Sequence, residues 1–138
     1  MAEHHILFTN YSDGQLYTLA SQATADGAFV GWVRAKWSAT EQDFFRELSA
    51  SLRFPSYFGF NWNAADECLA DLEWLRFSRL LLIFDDFPAM FGQEEGNGKQ
   101  ECLDLVMKRL RFADEYWTAQ GVPFQALVNR LSPVPSRQ

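Results

Sequence analysis

The sequence predicts an α/β domain, a small and mostly parallel β-sheet packed with helices and preceded by an N-terminal β-hairpin. Three observations point to it. The run Leu80-Leu81-Leu82-Ile83-Phe84 stops at Asp85-Asp86 and Pro88, the mark of a central strand covered on both faces. Helical stripes stand on either side of that run: Phe45, Leu48 and Leu52 before it, and Leu103, Val106, Leu110, Ala113 and Trp117 after it. Strands joined through helices pair in parallel by right-handed crossovers.

Along the chain, Asp13-Gly14 lies between Ile6-Leu7-Phe8-Thr9 and Leu16-Tyr17-Thr18-Leu19, which suits a tight hairpin turn. Phe29-Val30-Gly31-Trp32-Val33 is β-branched and aromatic, a strand. Thr40-Glu41-Gln42-Asp43 resembles a capping box with Asp43 in the place of the usual Glu or Gln; the helix it opens ends at Pro55. A second helix is predicted from Asn61 to Leu75, with Asn61 as N-cap and Ala65, Cys68, Leu69 and Leu72 as its buried stripe. The polar loop from Gln93 to Gly98 leads into the long third helix, which Gly121 and Pro123 terminate. Phe124-Gln125-Ala126-Leu127-Val128 forms a last strand, and Ser132-Pro133-Val134-Pro135 an extended tail.

A chain of 138 residues with 48% apolar and 16% aromatic residues is expected to form one domain, 1–138, burying roughly two-thirds of its unfolded surface. No apolar run has the length of a membrane span, and Met1-Ala2-Glu3-His4-His5 lacks the pattern of a signal peptide, so a cytoplasmic protein with no membrane partner is expected. Cys68 and Cys102 are then expected to be free, buried thiols. The net charge of −6 disfavours direct contact with nucleic acid. Between Asn61 and Leu75 stand Asp66, Glu67, Asp71 and Glu73 with no Lys or Arg, giving the molecule an acidic side suited to a basic partner.

The stretch from Leu52 to Trp74, LRFPSYFGFNWNAADECLADLEW, is the most informative. Pro55 stops one helix, Gly59 allows a turn where a side chain would clash, and Asn61 caps the next. Asn63, Glu67 and Ala70 follow at spacings of four and three on one face, with Trp62 and Asp66 on the flank and the apolar stripe opposite. Of the adjacent aromatics Tyr57 and Phe58, one is expected to point outward, Tyr57, and the other inward. Trp74 is expected to pack against the sheet.

This stretch is similar to the signature of the barstar family of ribonuclease inhibitors, and the order of elements from Phe29 to Arg130 follows the same family. The resemblance makes 29–130 the family core, 1–27 an N-terminal extension and 131–138 a tail. It implies an intracellular inhibitor, monomeric when free and needing no cofactor, that blocks the active site of a cognate basic, barnase-like ribonuclease or related toxin. Tyr57, Gly59, Asn61, Trp62, Asn63, Asp66, Glu67 and Ala70 match the family's contacting segment, with Glu67 as anchor. The barnase–barstar pair is itself a standard case of charge-steered association, and its magnitudes belong to that pair. Here Asn63 stands where well-known members carry aspartate, Asp66 replaces an aromatic residue, and Glu67 extends its carboxylate by about 1.5 Å relative to aspartate. A cognate other than barnase is implied.

Two other readings compete. The same helix suits an interaction module with a non-nuclease partner. Asp85, Asp86 and Glu67 suit a small metal-dependent enzyme, although an acidic pair after a central strand is by default a solvated turn. Cys68, on the apolar stripe, has no base nearby in the sequence to make it a nucleophile, and His4-His5 lacks neighbours at metal-binding spacing. No Ser-His-Asp order, HExxH, phosphate loop or dinucleotide motif is present.

Overall fold

The computed structural model describes residues 2–3 and 5–130; the tail expected over 131–138, and His4, lie outside the described residues. Five strands and four helices follow in the order β1 (Ala2–Glu3), β2 (Ile6–Thr9), α1 (Asp13–Ala25), β3 (Ala28–Val33), α2 (Glu41–Leu52), α3 (Trp62–Leu69), β4 (Arg79–Phe84), α4 (Gly98–Ala119) and β5 (Phe124–Asn129). Short 3-10 turns occupy Ala35–Trp37 and Phe87–Ala89. The sheet order is β1-β2-β5-β4-β3. Strands β2, β5, β4 and β3 run parallel, and β1 adds an antiparallel edge.

The apolar run of β4 divides its side chains between two cores, as the period of a strand requires. Leu80, Leu82 and Phe84 face the larger core beneath α2, α3 and α4, while Leu81 and Ile83 face a smaller one with Leu16 and Ala23 of α1. All five are buried. On α4, Leu103, Val106, Leu110, Ala113 and Trp117 are buried, and on α2 so are Phe45, Leu48 and Leu52, as their spacing predicts. The hydroxyl of Thr40 accepts from the Asp43 N–H at 3.1 Å, and the helix closes at Arg53, two residues before Pro55. Gly31 lets α2 approach β3 closely: a Cβ there would lie 2.7 Å from Leu52 Cδ2.

The N-terminal hairpin expectation is corrected. Asp13-Gly14 is the first turn of α1, not a hairpin turn, and Leu16–Leu19 is helical. Ser12 caps the helix: its hydroxyl accepts from Gln15 N–H at 3.2 Å, and Gln15 Oε1 accepts from Ser12 N–H at 2.8 Å. Leu16, Leu19, Ala20 and Ala23 all face the small core at helical spacing, a period that shows only when the segment is read on to Ala23. Strand β2 joins the sheet beside β5, from Ile6 against Ala126 to Thr9 against Asn129, and α1 covers the sheet's second face. The described residues of the first 27 thus contribute to both the sheet and the core.

Candidate functional site

The site is built on the turn between α2 and α3. Its first aromatics divide as expected: Tyr57 is 67% exposed, and Phe58 is buried against Phe45 and Phe54. The Tyr57 hydroxyl donates to Asp71 Oδ2 at 3.2 Å. Partial desolvation first, and then that bond and the Asp71 charge, hold the phenol above its ordinary pKa. A Cβ on Gly59 would lie 3.1 Å from Asn61 Nδ2, which is tight. The sharpest turn falls one residue later, on Phe60, whose φ is +54° and whose ring stays 38% exposed.

Asn61 caps α3, accepting from Ala64 N–H at 2.9 Å and donating from Nδ2 to Gly59 O at 3.1 Å. The helix is shorter than expected. It ends at Leu69 rather than Leu75, with Ala70 as its C-cap and Leu72 in the left-handed region at φ +52°. The buried spacing of Ala65, Cys68, Leu69 and Leu72 continues the helical period past the helix end, because the turn itself delivers Leu72 to the core. Asp71 and Glu73 therefore lie beyond the helix, and only Asp66 and Glu67 are its acids. Trp74 is half-buried and donates from Nε1 to Leu52 O at 2.9 Å.

The eight site candidates fall into two groups. Tyr57, Gly59, Asn61, Asn63 and Glu67 are exposed, and Ala70 is half-buried beside them. Trp62 and Asp66 instead turn toward the protein's own helices. The Trp62 ring lies 5.6 Å from Phe44 and 4.8 Å from Phe45, and its Nε1 donates to Glu41 Oε2 at 2.7 Å. Asp66 Oδ1 meets Arg109 Nε of α4 at 2.7 Å, a contact of charges without an aligned hydrogen bond. Burial raises the Asp66 carboxyl above its ordinary pKa, and the Arg109 charge only partly opposes this. Trp62 and Asp66, which the resemblance places in contact with a partner, are partly buried and make these internal contacts to α2 and α4. By contrast, no ion pair within the described residues engages Glu67.

The sequence reading missed Phe60, Arg109 and Glu41. Phe60 sits between Gly59 and the N-cap, where an apolar residue ordinarily staples inward. Nothing local connects Arg109 to Asp66 or Glu41 to Trp62.

The remaining candidates for chemistry are engaged in structure. Cys68 and Cys102 are free, buried thiols. Burial first, and then neighbouring carboxylates, raise both pKa values, that of Cys102 to about 11, which opposes a thiolate nucleophile. The solvated turn expected at Asp85 is corrected: the residue is 7% exposed. Its Oδ1 accepts from Ala35 N–H at 2.9 Å and its Oδ2 from Trp32 Nε1 at 3.1 Å, so its carboxylate ties the ends of β3 and β4 together. Among the described residues no group of three or more His, Cys, Asp or Glu is placed to hold a metal ion, and none of their helices is long and apolar enough to cross a membrane.

A family model described as Barstar (barnase inhibitor) matches residues 32–129, more than half of the chain. The match begins within β3 and leaves β1, β2 and α1 outside it. A search of curated proteins finds no match.

Proposed function

The chain belongs to the barstar family, and from that premise we propose that it is an intracellular inhibitor of a basic ribonuclease, monomeric when free, working in the cytoplasm as an antitoxin or immunity protein. The observation that carries the proposal is Glu67, an exposed carboxylate on α3 with no intramolecular ion pair among the described residues, one helical turn from exposed Asn63, with exposed Tyr57 on the turn that leads into the helix. A carboxylate so placed enters a cationic cleft and occupies a phosphate's position. The inhibitor performs no chemistry. It fills the cleft, and its acidic side accelerates encounter with a basic surface.

Tyr57, Gly59, Asn61, Asn63 and Glu67, with Ala70 at the margin, make the proposed contact. Trp62 and Asp66 act behind it by fixing the helix that carries Glu67.

Calorimetric titration against a panel of basic, barnase-type ribonucleases, with inhibition of RNA cleavage as second readout, tests this. Glu67→Ala is expected to weaken the complex by about 2 to 5 kcal/mol, the range for truncating one member of a buried interfacial charge pair, without changing folding stability. Association of the parent is expected to slow as salt is raised. If folded Glu67→Ala binds as tightly as the parent, α3 is not the binding face. If the panel shows no inhibition and the protein instead captures a basic protein that is not a nuclease, the interaction-module reading replaces this one.

A further inference from the structure

Phe60 is left over from the description of the site. It stands on the same turn as Tyr57, with its ring 38% exposed, and its backbone lies at a positive φ that a bulky residue rarely adopts. One side of the ring is occupied, since Phe58 lies 4.9 Å away, centroid to centroid. That contact supports the ring from within and leaves the rest of it toward solvent.

Elsewhere this chain places its own arginines over four of its half-buried rings. Arg34 lies 4.3 Å from the Trp32 ring centroid, Arg130 4.8 Å from Phe8, Arg53 5.4 Å from Phe29 and Arg109 6.0 Å from Trp62. Phe60 and Tyr57 are more exposed than any of these four rings, yet among the described residues no cation of the chain stands over either. Their surroundings favour one. No Lys or Arg occurs from residue 61 to 75, while Glu67, Asp71 and Glu73 do. Phe60 stands two residues before the first residue of α3 and Glu67 on the second turn of that helix, so both fall within the span of one protein interface.

We propose that Phe60, on the same turn as Tyr57, is a specificity-determining seat for an arginine of the partner, whose planar guanidinium stacks on the Phe60 ring while Glu67 engages a second cation. Arginine fits better than lysine, because its flat and weakly hydrated head stacks on a ring and still donates in its plane to nearby carboxylates. The inference rests on the inhibitor reading for the identity of the partner but not for the chemistry of the seat. It restricts the cognate ribonucleases to those carrying an arginine at the rim of the cleft, separate from the cation that Glu67 meets.

The test has two arms. In the first, arginine amide and lysine amide are titrated into the full chain, and the aromatic resonances of Phe60 and Tyr57 are followed by NMR. Arginine amide is expected to give saturable shifts at Phe60, several-fold stronger in apparent affinity than lysine amide. Phe60→Gly, whose backbone suits the positive φ, and Phe60→Leu, which keeps an apolar cover over Phe58, are both expected to stay folded and to lose the saturable response at Tyr57. Non-saturable shifts, equal shifts with both amides, or an unchanged Tyr57 response in the two variants would overturn the seat.

In the second arm a ribonuclease bound by the parent is titrated with each variant. A loss of about 3- to 30-fold for both Phe60 variants, the range of a partly desolvated cation–π contact, supports the seat. If both variants bind as the parent does while Glu67→Ala does not, the inhibitor reading stands and the seat is refuted. If arginine amide seats on Phe60 but the parent binds no ribonuclease, the seat stands and the ribonuclease reading falls.

Discussion

Replacing Arg109 with alanine removes the only cation recorded against Asp66 among the described residues and tests the division of labour between Asp66 and Glu67. At 2.7 Å and an effective dielectric of about 20, the gross attraction of the pair is about 6 kcal/mol, most of which offsets the desolvation of both groups. The side chains are 14% and 23% exposed, between the surface pairs worth up to about 1 kcal/mol and the buried ones whose breakage costs about 3 to 5 kcal/mol. A loss of about 1 to 3 kcal/mol is therefore expected, equivalent to about 4 to 10 °C in Tm for a domain of this length. The pH dependence identifies the cause. Asp66 already holds its proton more tightly in the folded than in the unfolded state, so stability falls as pH rises from the ordinary carboxylate pKa through the raised one. Without Arg109 the opposing charge is gone, the folded pKa rises further and the window extends upward. Urea denaturation of parent and variant from pH 8 down to the ordinary carboxylate range should show the full deficit at the upper end and a shrinking one as Asp66 takes up its proton. Asp66→Asn in the same background should recover part of the loss at pH 8. A deficit that is constant with pH, or below about 0.5 kcal/mol at pH 8, would refute the reasoning and make Asp66 available to a partner.

Three further outcomes are expected. Leu69→Ala empties a site that is 2% exposed and should cost about 2 to 5 kcal/mol in denaturant titration, the reverse of the Glu67→Ala pattern. Both thiols should react slowly with a disulfide reagent at pH 8 in the native protein and fast once it is unfolded, because burial holds Cys68 and Cys102 protonated; fast native labelling would contradict the packing of α3 on α4. Asp85→Ala leaves the Ala35 N–H and the Trp32 indole N–H without their acceptor and should cost about 2 to 4 kcal/mol, read by the same titration, with no change in response to magnesium.

What the sequence made legible was whatever one segment decides for itself. The β4 run could be nothing but a strand with both faces covered, and the α4 stripe, spaced by three and four, could bury one face only. Asn61 was legible as a cap because its partner, the Ala64 N–H, is three residues away. The segment before β3 was not, since Asp13-Gly14 is a hairpin-turn pair and the four residues Leu16-Tyr17-Thr18-Leu19 are too few to set a strand apart from a helix. The Ser12–Gln15 box that decides the matter lies outside that window, and Ser12 reads equally well as a turn residue. The end of α3 failed for a related reason: the periodicity of buried residues records which side chains reach the core, not whether the backbone remains helical when they do, and Leu72 reaches it at a positive φ.

The same limit explains why the face of α3 proposed for the partner is narrower than residue spacing alone suggests. Sequence spacing places Trp62, Asn63, Asp66 and Glu67 on adjoining faces of one helix, but only the neighbouring helices determine which face is free. Arg109 on α4 and Glu41 on α2 draw Asp66 and Trp62 inward, from 43 and 21 residues away in the chain. Asp66 thus engages its charge in an internal ion pair and leaves the outward charge of α3 to Glu67 alone. If that is the physical basis of the site, charge lost at Glu67 cannot be supplied by Asp66. The double variant Glu67→Gln, Arg109→Ala, which releases Asp66 from its internal partner, should then bind a cognate ribonuclease no better than Glu67→Gln alone, because the Asp66 carboxylate remains on the inward flank. A recovery of affinity in the double variant would mean that the flank of α3, and not only its exposed face, reaches the partner.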